Sequence, residues 1–145
     1  MIIDREVGDR RGEGNALGNL GSAYLSLGDV RKAIEFYNKR LVIACEIGDR
    51  LGEGNALGNL GSACLRLGDV RKAIDYNEKY LVISGEIGDR RGEGHALGNL
   101  GSAYDRLGDK RRARAYLEEA LKIFEEVQSP DTTMIREKLG KLVDK

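Results

Sequence analysis

Two sets of residues in this chain have types and spacings that could do chemistry: a glycine-rich run and a group of recurring polar side chains. The run GEGNALGNLGSAY at 12–24 opens with the spacing GxGxxxG, which invites comparison with loops that bind phosphate. A phosphate loop places its glycines between a buried β-strand and a helix N-terminus. The residues before Gly12 form no strand pattern, and the run returns at 52–64 and 92–104. These features favour a structural role for the glycines.

The acidic residues and the single histidine give no catalytic or metal site. Glu13, Glu53 and Glu93 recur near predicted helix starts, where a carboxylate interacts favourably with the helix dipole. Acid/base catalysis needs carboxylates in unlike environments, and these three are equivalent by repetition. His95 has no second histidine or cysteine near it in the sequence. We therefore predict no enzymatic activity, no metal and no cofactor.

Composition bounds the classes of function. The 145 residues are 41% hydrophobic and 33% charged, which suits one compact domain or a short repeat array. The 24 basic residues balance 24 acidic ones, so the overall field argues against nucleic-acid and membrane partners. The opening MIIDREVGDR lacks the apolar run of a signal peptide. Cys45 and Cys64 lack metal-ligand spacing and are expected to be buried or partly buried free thiols in the cytoplasm.

The whole chain is organised by a repeat of 40 residues. Residues 11–50 and 51–90 share 30 identical positions without gaps, and 51–90 and 91–130 share 22. In the first unit, apolar residues recur with the 3.6-residue period of a helix, giving helix A from Leu17, Leu20, Tyr24 and Leu27, and helix B from Val30, Ala33, Ile34, Tyr37, Leu41 and Ala44. Each unit is therefore predicted to be a pair of antiparallel helices.

Glycine and aspartate mark the turns between these helices. Gly28 is predicted to adopt the left-handed conformation that ends helix A, and Asp29 to accept hydrogen bonds from the free amides of helix B. The same pair recurs at Gly48 and Asp49. The fold class predicted is all-α, an α-solenoid of three helix-turn-helix units, with helices near 11–27, 30–47, 51–67, 70–87, 91–107 and 110–127.

The two ends of the array differ. At the C-terminal end, Ser129 is predicted to be an N-cap, with Pro130 in the first helical turn. A C-terminal capping helix with one apolar face is predicted to begin there. Residues 1–10 align with LVIACEIGDR and are predicted to be the tail of an incomplete preceding repeat. Either a longer array has been cut there, or the exposed first face pairs with a second copy. The predicted division is 1–10, 11–50, 51–90, 91–128 and 129–145.

The glycines inside helix A need a structural reason, because each costs roughly 1 kcal/mol relative to alanine. Gly14, Gly18 and Gly21 share one helix face. Together with Ala16 and Ala23 they are predicted to let neighbouring backbones approach closely, so that packing offsets the cost.

The spacing Leu17-x2-Leu20-Gly21-x2-Tyr24 followed by Ala33-x3-Tyr37 resembles the tetratricopeptide repeat (TPR). The 40-residue length and the pattern GDRxGEGxAxxNLGxAYxxLGD are most similar to the LGN/Pins-type arrays. Cys64 and Asn77 depart from the aromatic positions of the pattern. The resemblance implies that helix A lines a concave groove that binds a protein or peptide.

On that reasoning the remaining polar stripe of helix A carries the binding function. Side-chain amides present both donor and acceptor and could pair with the backbone of an extended, acidic peptide. The candidate groove residues are Asn15, Asn19, Ser22, Asn55, Asn59, Ser62, Arg66, His95, Asn99, Ser102 and Arg106, and Arg50 and Arg90 could add flanking contacts to carboxylates.

Two other interpretations stay open at the level of sequence. The stripe could be only a solvated face, or its asparagines could bond neighbouring helices. The function could also be structural, with the chain forming a homo-oligomer through its N-terminal face.

Overall fold

The computed structural model describes the backbone of residues 2–143 and the side chains of residues 6–142. Over those residues the chain forms helices and turns with no strand, which confirms the all-α solenoid. The helices are α1 (Ile2–Ser26), α2 (Val30–Ile47), α3 (Arg50–Leu67), α4 (Val70–Ile87), α5 (Arg90–Arg106), α6 (Lys110–Glu126) and α7 (Thr132–Val143). Helices α1, α3 and α5 are the A helices, and α2, α4 and α6 are the B helices. The division into repeat units stays a prediction.

The turns between helices follow the predicted chemistry. Gly28 and Gly48 have φ angles of +87° and +70°, a left-handed conformation that costs glycine little. The carboxylate of Asp29 accepts from the backbone N–H of Lys32 at 3.1 Å. Residues 48–49, 68–69 and 88–89 repeat this arrangement. Each turn thus ends one helix and caps the next, which sets the antiparallel pairs.

Helix α1 corrects the predicted boundary at its start. It was expected to begin near residue 11, but it runs unbroken from Ile2. An added Cβ at Gly8 would meet no atom of the described residues within 4 Å, so no other described helix packs against this position. A reversal at Gly8 would bury nothing, and helical hydrogen bonding continues through it.

The capping helix also begins later than expected. Helix α7 starts at Thr132, and Pro130 precedes it. The hydroxyl of Ser129 accepts from the backbone N–H of Asp131 at 3.1 Å, and the Thr132 hydroxyl donates to the Ser129 carbonyl at 2.8 Å. Because α7 begins three residues after Ser129, this residue organises the turn before the helix instead of standing directly at its start.

The core is a series of clusters that form within A–B pairs and between a B helix and the A helix that follows it. Ala33 and Tyr37 of α2 pack with Leu60 and Ala63 of α3. Farther along, Ile74 of α4 packs with Leu100 and Ala103 of α5. At the C-terminal end, the predicted cap covers the last pair, and Ile135 and Leu142 of α7 join a cluster with Leu97, Leu117 and Phe124. The cap takes the place that the next A helix would occupy.

The two cysteines lie in different environments. Cys64, in α3, is buried as predicted. Cys45 is exposed near the end of α2, which corrects the expectation that it would be at least partly buried. It lines an open surface cavity together with Leu57 of α3 and Val82 of α4.

Candidate functional site

The glycines of the A helices accept side chains from the B helices. A Cβ added at Gly21 would lie 2.8 Å from Cδ1 of Tyr37, and one added at Gly101 would lie 2.6 Å from Cγ of Leu117. Real Cβ atoms do not come this close to such neighbours, so these positions require glycine while the helices stay in place. The predicted packing role of the glycines is confirmed, and it brings each A helix close to its B helix.

Residues of all three A helices line one groove. It encloses about 480 Å³ and contains no Asp or Glu in its lining. We call it the central groove and define it by its lining residues, Gly18, Asn19, Ser22, Arg40, Asn55, Gly58, Asn59, Ser62, Tyr80, His95 and Asn99. Seven of these were predicted from sequence, namely Asn19, Ser22, Asn55, Asn59, Ser62, His95 and Asn99. The repeat therefore brings the polar stripes of successive A helices together.

The asparagines of the groove differ in how they are satisfied. Within residues 6–142, Asn19, Asn55 and Asn59 form no hydrogen bond with another part of the chain. Asn99 instead donates from Nδ2 to Oδ1 of Asn77 at 3.0 Å. The structural interpretation of the asparagines thus holds for Asn99, while the other three amides are available to a ligand.

Asn77 explains how the second repeat accommodates a departure from the family pattern. It stands where the other units have Tyr37 and Leu117, and it is 1% exposed. Its Nδ2 also donates to the carbonyl of Ala73 at 2.8 Å. A buried polar side chain is tolerated when it is hydrogen-bonded, so the fold is kept at this position.

Four predicted groove residues lie outside the lining. Arg66 is exposed in the last turn of α3. The hydroxyl of Ser102 accepts from Lys138 Nζ of α7 at 2.8 Å. The other two are bonded within the chain: Asn15 Oδ1 accepts from Arg40 at 3.5 Å, and Arg106 donates to the Leu65 carbonyl at 3.2 Å. The cap and the helix ends thus shorten the predicted stripe.

The two predicted flanking arginines are engaged inside the chain. Each begins an A helix and lies between a glutamate three residues ahead and a glutamate at the end of the following B helix. Because two carboxylates hold each guanidinium, a ligand would have to compete with these ion pairs, and the flanking contacts stay a prediction. The sets are Arg50 with Glu53 and Glu86, and Arg90 with Glu93 and Glu126.

Sequence reasoning missed the two groove residues that come from B helices. Arg40 of α2 and Tyr80 of α4 both line the groove. Tyr80 is 7% exposed, and burial raises the pKa of its phenol to about 12. The available signal was the spacing, because Arg40 and Tyr80 stand 40 residues apart and each follows a helix A glycine, Gly18 or Gly58, by 22 positions.

His95 lies at the end of the groove nearest the cap. Its Nε2 is 3.7 Å from Oδ2 of Asp131, and its ring contacts that of Phe124 edge to face with centroids 5.2 Å apart. Across the part of the chain whose side chains are described, no three His, Cys, Asp or Glu residues gather as metal ligands. The described helices also include none that is long and apolar enough to cross a membrane.

Comparison with known proteins agrees with this architecture. A family model of the tetratricopeptide repeat matches residues 15–84 and 53–126. No curated protein matches the chain. Among solved structures, apo RapI superposes with a TM-score of 0.86 at 19% identity over 92% of this chain. The match spans only 38% of RapI.

Two further structures have a similar fold. The TPR domain of Arabidopsis FLU matches at 26% identity with a TM-score of 0.77, covering 81% of this chain and 98% of that domain. The TPR2AB domain of yeast Sti1, solved as a complex with pHSP90, matches at 20% identity with a TM-score of 0.76. That match covers 92% of this chain and 47% of the Sti1 chain.

Proposed function

This chain belongs to the tetratricopeptide repeat family, and from that premise we propose that it is a non-enzymatic scaffold that binds an extended peptide segment of a partner protein in the central groove. The pHSP90 complex of yeast Sti1 supports an interaction role for a similar fold. We further propose that the repeat is of the 40-residue LGN/Pins type. We place the scaffold in the cytoplasm, where its two free thiols stay reduced.

The observation that carries this proposal is the polar lining of the groove. Asn19, Asn55 and Asn59 face one pocket from two successive A helices, and their amides have no partner within the described side chains. A side-chain amide offers both donors and an acceptor. The backbone of an extended peptide presents the complementary N–H and C=O groups along its length. The groove can therefore bind a peptide main chain across more than one repeat.

The proposal is tested by selecting a displayed library of random dodecapeptides on the wild-type chain and on the Asn19→Ala, Asn59→Ala double variant. We expect the wild type to enrich a family of peptides. The double variant should bind the selected peptides at least about fivefold more weakly, because each lost hydrogen bond contributes about 0.5–1.5 kcal/mol. Fluorescence anisotropy of a labelled selected peptide measures the change.

The matched control is Asn38→Ala, which removes an exposed amide from α2, outside the groove. It should bind the same peptide as tightly as the wild type. Because Asn19 and Asn59 make no bond within the described chain, their loss should leave the helical circular dichroism unchanged. Equal affinity in the double variant and the wild type would contradict the proposed groove.

A second candidate function is self-assembly, and the N-terminal face favours it. Ala56, Leu60 and Ala63 of α3 are 0% exposed. Their counterparts in α1, Ala16, Leu20 and Ala23, are exposed, and Leu20 retains 45% of its surface. An apolar face that the array buries elsewhere would be covered here by a second copy.

Light scattering across a dilution series tests the assembly. Self-association should give a mass that rises with concentration, and Leu20→Lys should abolish the rise by placing a charge on the face. Val82→Lys is the control, because Val82 is exposed and the third repeat already has a lysine at the equivalent position, Lys122. A monomer at every concentration would remove this function.

A further inference from the structure

Two B-helix side chains reach the central groove by crossing the backbone of an A helix. A Cβ at Gly18 would lie 2.8 Å from Cδ of Arg40, and one at Gly58 would lie 2.6 Å from Cε2 of Tyr80. Both side chains nevertheless line the groove. The missing side chain at each glycine is thus a window through which a residue of helix B meets whatever occupies the groove.

Arg40 differs from the arginines that serve the structure. No carboxylate within residues 6–142 pairs with it, and its hydrogen bond to Asn15 is 3.5 Å long. Since the groove lining holds no acidic residue, the half-buried guanidinium is uncompensated there. A guanidinium in such a position binds a carboxylate with strong, charge-assisted hydrogen bonds.

Tyr80 adds a neutral polar group beside this charge. Its ring packs over Gly58, and its hydroxyl has no hydrogen-bond partner within the described side chains. The phenol can donate to a carbonyl or carboxylate of a ligand. The second window therefore offers a hydroxyl where the first offers a positive charge.

In the third repeat, no side chain of the B helix α6 lines the groove. The residue equivalent to Arg40 and Tyr80 is Ala120, which cannot reach the groove, and Cδ1 of Ile135 from α7 lies 3.2 Å from the Cβ position of Gly98. The groove consequently changes along its length, from a cation at the first repeat through a hydroxyl at the second to the imidazole of His95 near the cap.

We propose that Arg40 and Tyr80 determine the specificity of the groove, so that it selects an extended peptide with an acidic side chain placed over the first repeat. The proposal rests on the peptide-binding function argued above. Arg40 binds the carboxylate, and Tyr80 donates to a polar group of the segment that follows it. The amides of Asn19 and Asn59 bind the peptide main chain between these two contacts. The side-chain preference of the groove therefore depends on Arg40 and Tyr80.

The peptide selection is repeated with Arg40→Met and Arg40→Glu. Methionine keeps an unbranched stem against Gly18 without the charge. The wild type should enrich Asp or Glu at one fixed position, Arg40→Met should lose that enrichment while still selecting peptides, and Arg40→Glu should enrich Lys or Arg there. The wild-type consensus peptide should bind Arg40→Met at least about tenfold more weakly.

Controls separate this inference from the proposed function. Arg31→Glu reverses an exposed charge of α2 outside the groove and should select the wild-type consensus. Peptides synthesised as C-terminal amides distinguish an acidic side chain from a terminal carboxylate, and only retained binding of the amide fits the proposal. Tyr80→Phe should weaken binding several-fold and keep the acidic preference.

Each remaining outcome has a single meaning. If the wild type selects peptides whose acidic preference is absent, or is unchanged in Arg40→Met and Arg40→Glu, the window inference is wrong and peptide binding stands. If the wild type selects no peptide, the proposed function fails and the inference fails with it. Melting curves of all variants by circular dichroism verify that each one folds.

Discussion

At the scale of single residues, glycine decides both how the helices pack and what the groove presents. The sequence showed that Gly14, Gly18 and Gly21 share a face, and a packing role followed from that. It did not show which side chains would occupy the space, because the answer depends on the crossing of helices A and B. Arg40 and Tyr80 were missed for this reason, whereas Asn19 and the other groove residues of helix A were predicted from helical spacing together with the resemblance to the tetratricopeptide repeat.

A pair of glycine substitutions tests this dual role. An added Cβ at Gly58 meets the Tyr80 ring at 2.6 Å, while one at Gly12 in α1 meets nothing within 4 Å. Gly58→Ala should lower the free energy of unfolding by about 1–2 kcal/mol, since overpacking outweighs the gain in helix propensity. Gly12→Ala should raise it by about 0.5–1 kcal/mol. Urea unfolding followed by circular dichroism measures both changes, and stabilisation by Gly58→Ala would contradict the close approach.

At the scale of helices, five of the six predicted repeat helices begin and end within one residue of the structure. All five begin after a Gly-Asp turn and four also end at one, where a left-handed glycine and a capping aspartate act locally; α6 ends before Gln128, whose φ is +54°. The two differences occur where tertiary contacts decide. Gly8 and Asp9 have the turn sequence without a helix to turn against, and Ser129 is used within its own turn. The turn sequences therefore predicted helix boundaries correctly only where the packing of neighbouring helices favours the same boundary.

The capping helix α7 supplies a test at this scale. Ile135 is 0% exposed and contacts the Gly98 position of α5. Ile135→Ala should cost about 2–5 kcal/mol if α7 is docked through this side chain. Met134, the preceding residue, is 43% exposed, and Met134→Ala should change stability by less than about 0.5 kcal/mol. Urea unfolding compares the two, and equal small effects would mean that α7 does not depend on Ile135.

At the scale of the whole molecule, equivalent sequences have different environments because they occupy different places in the array. Leu60 and Leu100 are fully buried, whereas Leu20, in the same motif, remains 45% exposed. The sequence shows the same motif in all three repeats. It could not show how unevenly burial is distributed, which depends on the stacking of neighbouring units.

This uneven burial predicts an uneven stability along the array. In a stack where each unit contacts only its neighbours, the unit that buries least opens first. We expect the backbone amides of residues 12–26 in α1 to exchange with solvent at least about tenfold faster than those of α5. In α5, Ala96, Leu100 and Ala103 are all 0% exposed. Hydrogen exchange with mass spectrometry, at a concentration where light scattering shows a monomer, measures the ratio. Equal protection of α1 and α5 in the monomer would mean that the open face of α1 costs the first repeat nothing, and protection of α1 that appears only on concentration would instead locate the contact between copies on this helix.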